Sequence, residues 1–392
     1  MTSKTQSPAA VHRSALVIDT HADTPLRFLD EAFDLGGPLR GGDLNFETIA
    51  KGNLAAEFFA IWAEPARYRG RYAHRALELI DALKRQVARH ADRVELVTSA
   101  EGIRQARRKR KFAALIGIEG GHAIENSLPL LRQFYALGAR YMTLTWNNSN
   151  GWADSSCDLD DPAVPHTAKG LTGFGKNVVR EMNRLGMMVD ISHVSDPTFW
   201  QTLAVSRAPV IASHSGARAL CNSPRNLTDE MLRAVAHSGG PGSKGGVVQV
   251  NFFSAFLSQR YFDALKAMEP ETERQIQAFK DKAKAADREP AQAGIAKIRR
   301  RLADRIPPPP FSALIDHIDH IATVAGVDHA GLGSDFDGVD GQLPQGLGSP
   351  AGLPRITAAL MARGYSAASC RKILGGNLLR VFREGEAVAN RA

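Results

Sequence analysis

Cysteine is scarce: Cys157, Cys221 and Cys370 are the only three in 392 residues, scattered and without a C-x-x-C pair. That spacing excludes a disulfide framework, a thiolate-bound structural zinc and an iron–sulfur cluster, and it implies reduced thiols. No apolar run approaches the roughly 18 residues of a membrane span. His12 and Arg13 interrupt the N-terminal stretch where the apolar core of a leader would lie, and the C-terminal GEAVANRA carries no hydrophobic anchor tail. The expectation is a soluble, cytoplasmic protein without a membrane anchor. The formal net charge is +8, yet the densest basic run, RQARRKRKF at 104–112, lacks interleaved aromatics and reads as a solvated helix face. No nucleic-acid partner is expected. GGPGSKGG at 239–246 lacks the spacing of a phosphate loop and reads as a turn.

What the sequence does have is an ordinary globular balance, 44% apolar and 23% charged, arranged in a repeating order. Eight strand-like runs recur: ALVID (15–19), AAEFFAIW (55–62), AALIGIE (113–119), RYMTLTW (140–146), GMMVDIS (186–192), PVIAS (209–213), GGVVQVNFF (245–253) and AGLGSD (330–335). Segments with helical spacing, such as RYAHRALELIDALKRQVARH and FGKNVVREMNRLG, separate them. The pattern predicts an α/β fold, a (β/α)8 TIM-type barrel. One domain spans 1–392, with a charged helical insertion at about 256–310 between the seventh and eighth strands.

The polar residues fall at one end of these strands. His21 and Asp23 follow the first, Glu119 ends the third, His193 the fifth, His214 the sixth and Asp335 the eighth. Side chains two apart share a strand face, and the C-terminal strand ends of this barrel converge on one mouth. Three imidazoles and three carboxylates there suit two zinc ions. Two metals about 3.5–4 Å apart need a shared ligand, and the two oxygens of Glu119 make it the natural bridge. His122 reads as packing, as do His317 and His320 on a helix before the last strand, and His329.

VIDTHADTP, GIEGGHAIENSLPLLRQFYALGARYMTLT, GLTGFGKNVVREMNRLGMMVDISHVSD, APVIASHSGARALCNSPRN, DHIDHIATVAGVDHAGLGSDFDGV and NLLRVF resemble the renal, or membrane, dipeptidase family of binuclear zinc peptidases. The resemblance covers about residues 15–383 apart from the insertion. It implies an amidohydrolase-like barrel, a homodimer, and hydrolysis of the peptide bond of dipeptides by a metal-bridging water. By position it gives His21, Asp23 and Glu119 to one zinc and Glu119, His193 and His214 to the other. It makes Asp335 the catalytic proton acceptor beside Glu119, and Arg225 in NSPRN the residue that holds the substrate carboxylate.

One position departs from the family pattern. Where the family's fourth strand ends Thr-Leu-Thr-His, this chain reads Thr-Leu-Thr-Trp, placing Trp146 at a substrate-binding position. The change leaves open an alternative, a related metal-dependent hydrolase acting on another amide, a lactam or a lactone.

Overall fold

The computed structural model describes residues 6–159, 161, 164, 169–285 and 292–389. Eight parallel strands carry the architecture: β1 Val17–Ala22, β2 Leu54–Trp62, β3 Phe112–Glu119, β4 Ala139–Thr143, β5 Met188–Asp190, β6 Ile211–Ser215, β7 Val247–Val250 and β8 Ala330–Leu332. Each pairs with the next in chain order. A bridge between Ala22 and Phe336 brings the end of β8 back against β1, so the sheet curls into a nearly closed barrel. Helices such as Tyr72–Arg89, Leu128–Leu137, Gly173–Leu185, Asp196–Val205 and Asp229–Ala236 form the outer layer. The expected α/β barrel is the observed fold.

Strands covered on both faces need continuous apolar runs, and that is what these are. Every residue of β3 is buried, as is every residue of β2 except Trp62. Ile18, Phe58, Leu115, Tyr141, Met188, Ile211 and Val247, one from each of the first seven strands, form one cluster, closed by Leu378, Leu379 and Phe382 of the C-terminal helix Asn377–Ala389. The barrel interior is therefore a packed core rather than a pore.

The strand ends differ from the sequence expectation. β5 stops at Asp190, although the apolar run continues to 192. The Asp190 carboxylate accepts the N–H groups of Ser192 (3.0 Å) and Ser213 (2.8 Å), taking over donors a longer ladder would have used. β4 stops at Thr143, so Trp146 lies in the loop beyond it. A further strand, Val94–Leu96, pairs with β3 off the barrel path; three residues are too few to leave a periodic signal.

Between β7 and β8 run the helices Gln259–Ala285 and Gln292–Ala303; residues 286–291 of the expected insertion lie outside the described residues. This segment is tied to loops on the C-terminal side of the strands. Gln259 accepts from the Asn222 N–H (2.7 Å), Tyr261 donates to Gln342 (3.3 Å), and Arg300 donates to the Gly41 carbonyl (3.3 Å).

Gly117 shows how the core reaches the mouth. It stands in register with Tyr141, and a Cβ at Gly117 would lie 2.0 Å from the tyrosine ring. The missing side chain lets that ring pass over β3 and bring its hydroxyl to His21 Nδ1 (2.9 Å). Gly117→Ala is expected to lower stability by about 1–3 kcal/mol, the usual cost of overpacking, measured by urea unfolding. An unchanged midpoint would show that the ring moves aside freely.

Candidate metal centre

β1 and β3 deliver His21 and Glu119, the turn after β5 delivers His193, and β6 delivers His214. Three imidazole Nε2 atoms face one carboxylate oxygen: Glu119 Oε1 is 3.0 Å from His193, 3.4 Å from His214 and 3.6 Å from His21. His21 Nε2 is also 3.5 Å from Asp23 Oδ2. Two sets of donor atoms each gather within 4.8 Å, His21 with Glu119 and His214, and His21 with Asp23 and Asp335. All six strand-end residues meet at one mouth. His193 and Asp335 adopt φ values of +67° and +64°, a strained backbone for side chains of this kind and one that recurs at functional sites.

Each imidazole is held by its other nitrogen. His193 Nδ1–H donates to Asn147 Oδ1 (2.8 Å). His214 Nδ1–H donates to Ser213 Oγ (2.7 Å), whose own proton goes to Asp190 Oδ2 (2.6 Å). These bonds place the protons on Nδ1 and leave the Nε2 lone pairs of His193 and His214 facing one another at 2.8 Å. Lone pairs so placed beside a carboxylate oxygen repel unless a cation lies among them. His21 Nε2 is buried without a hydrogen-bond partner, and the donor set fits a borderline divalent metal.

The electrostatics agree. Burial, then the Arg225 charge, pushes His193 down to about 3, and burial, then the His21 charge, holds His214 well below the ordinary histidine range. Both are the neutral form that ligates metal. Burial works to raise Glu119, but the opposing effects, led by the His21 charge, hold the carboxylate well below its ordinary range. Burial raises Asp23 to about 7 and also raises Asp335. Asn251 donates to Asp335 Oδ2 (2.9 Å).

Arg225 is buried beside this centre. Its Nη2 donates to the His214 carbonyl (3.4 Å), its Nε and Nη1 have no partner, and its guanidinium lies 5.1 Å from the Phe256 ring centre. The half-buried Trp146 has its ring 6.3 Å from that of His193 and 4.8 Å from that of Trp62. The remaining histidines pack elsewhere: His122 bonds the Ala63 carbonyl, His317 the Ala217 N–H, His320 Asp229 and His329 the Gly246 carbonyl. Tyr141, Asn147, Asn251 and Trp62 escape the sequence reading. Of these only Trp62 ends an apolar run as several of the candidate ligands do, and its register with Glu119 on the neighbouring strand is what distinguishes it from core.

A family model described as membrane dipeptidase (peptidase family M19) matches residues 5–392. The chain is 35% identical to Dipeptidase 3 of Mus musculus over 391 residues, covering 98% of this chain and 67% of that one. Against Dipeptidase 3 of Homo sapiens it is 34% identical over 386 residues, 97% and 67%. Among solved structures, the probable dipeptidase PvdM from Pseudomonas aeruginosa superposes with a TM-score of 0.80 at 27% identity, covering 98% of each chain. A metallo peptidase from Rhodobacter sphaeroides, liganded with a phosphinate mimic of the dipeptide L-Ala-D-Ala, gives 0.73 at 26%, over 94% and 99%. Among the described residues no helix is long and apolar enough to cross a membrane.

Asn147→Ala should weaken affinity for a divalent metal about 10–100-fold, the usual effect of losing a ligand's outer partner, measured by chelator competition. Unchanged affinity would show that the His193 ring is fixed without it.

Proposed function

The chain belongs to the membrane dipeptidase family of metallopeptidases, and on that footing we propose that it hydrolyses the peptide bond of dipeptides with two zinc ions. The observation that carries this reading is the convergence of three buried imidazole nitrogens on Glu119 Oε1, with the unpartnered guanidinium of Arg225 beside them. The phosphinate dipeptide mimic bound by the Rhodobacter sphaeroides relative supports the substrate class.

His21, Asp23 and Glu119 would hold one ion, and Glu119, His193 and His214 the other. When bound, the pair would supply an acidified water and polarisation of the scissile carbonyl. The chain's own groups do the rest. Asp335 accepts the proton of the attacking water and returns it to the leaving amine. Because Asn251 occupies Oδ2, Asp335 Oδ1 is the oxygen free to take it. Arg225 holds the substrate carboxylate, for which a planar guanidinium with two unpartnered nitrogens is suited.

Trp146 favours a second reading, hydrolysis of another amide, a lactam or a lactone. An indole offers one rigid donor in a large apolar body where the family places an imidazole. Metal content together with amino-acid release from a dipeptide panel separates the two; metal-loaded protein that cleaves no dipeptide would leave only the second.

Asp335→Asn is expected to keep its metal while kcat falls by roughly 10²–10⁴, the usual share of a general base. Turnover retained within tenfold would remove Asp335 from proton transfer. Arg225→Ala should raise KM for dipeptides far more than for their C-terminal amides; equal losses on both would show that Arg225 does not hold the carboxylate.

A further inference from the structure

The mouth carries an aromatic wall that the chemistry above does not use. Along β2, Phe58, Ala60 and Trp62 occupy one face, since alternate residues point the same way. They stand in register with Leu115, Gly117 and Glu119 of β3. Phe58 and Leu115 belong to the interior cluster and Glu119 faces the metal centre, so Trp62 completes the interior row at the mouth, beside Glu119. The Trp146 ring lies 4.8 Å from it at 53°, and both indoles are half-buried. Trp62 Nε1–H is buried without an acceptor.

Barrel topology sets what this wall faces. With eight strands in chain order around the circumference, β2 and β6 are four steps apart, on opposite sides. β6 carries His214, and the loop after it carries Arg225. A dipeptide whose carboxylate lies at Arg225 and whose scissile carbonyl lies at the metal centre therefore extends its N-terminal residue toward β2.

Building on the dipeptidase reading, we propose that Trp62, with Trp146, forms the subsite for the side chain of the substrate's N-terminal residue and selects large apolar, above all aromatic, side chains there. Two indole bodies offer an apolar surface a small side chain leaves wet and a charged one must be desolvated to reach. Trp62 is a specificity-determining residue in this arrangement; the proton and metal chemistry belongs to other groups.

The test uses the zinc-loaded full chain and two readouts. The first is kcat/KM on Phe-Gly against Ala-Gly; the second is the affinity of phosphinate dipeptide analogues with a Phe-like or Ala-like first residue, by calorimetry. The Phe-like member should win by roughly tenfold or more on each, from the apolar area buried. Trp62→Ala should bring both ratios toward one, while Trp62→Phe keeps most of the preference. Equal ratios in wild type, or a preference undiminished in a folded, zinc-loaded Trp62→Ala, would overturn the proposal and leave the dipeptidase reading standing. Preferential binding of the Phe-like phosphinate without hydrolysis of either peptide would sustain the subsite and overturn the dipeptidase reading. Binding of neither analogue with cleavage of neither peptide would overturn both.

Discussion

A carboxylate buried at the mouth of an apolar barrel is the constraint on which the rest depends. Glu119 is ionised although only 4% of its surface is exposed, and an unpaired charge in such a place costs several kcal/mol. The chain supplies three imidazoles around it, of which His193 and His214 are held neutral and only His21 is pushed well above the ordinary histidine range. A divalent metal ion held among these nitrogens would balance Glu119 with charge that neutral imidazoles do not supply. Balancing the charge and ligating the metal are one requirement met by the same atoms.

The outer partners follow from it. An imidazole can present Nε2 to a metal only if Nδ1 is kept protonated and the ring is kept from turning. Asn147 does this for His193 and Ser213 for His214, with Asp190 behind the serine. On the third ring Tyr141 reaches His21 across the space Gly117 leaves open. These partners are an amide and two hydroxyls rather than carboxylates. The one carboxylate in the set, Asp190, reaches His214 through a hydroxyl and also satisfies the backbone where β5 ends.

This division explains what can be read from the linear sequence. His21, Asp23, Glu119, His193, His214 and Asp335 stand out because each interrupts or ends an apolar run, and the parallel fold then assigns them to one mouth. The barrel itself is legible for the same reason, its strands being buried on both faces. Asn147 and Asn251 are invisible because an asparagine after a strand is ordinary turn chemistry; only the partner across space distinguishes them, His193 in one case and Asp335 in the other. Trp62 ends an apolar run and reads as core until its register with Glu119 is known. Strand ends are misjudged where side chains such as Asp190 replace the ladder, since that exchange leaves hydrophobicity unchanged.

On the proposed reading, in which Arg225 holds the substrate carboxylate, its placement would limit substrate length. Its guanidinium bonds the main-chain carbonyl of His214, the same residue whose imidazole faces Glu119, and burial leaves it no freedom to swing outward. One extended residue spans about 3.3–3.6 Å. A substrate carboxylate held at Arg225 would thus leave room for a single residue before the chain must present its carbonyl to the metal centre. At the other end, β2 stands opposite across the same circumference and carries Trp62, against which Trp146 from the loop after β4 packs. A longer peptide would have to carry its next residue over that wall into solvent, giving up the apolar contact without gaining another. Restriction to two residues would then need no dedicated barrier, following from a rigid cation on one rim and an aromatic surface on the other, with the proposed ligands fixed between them by the register of the strands.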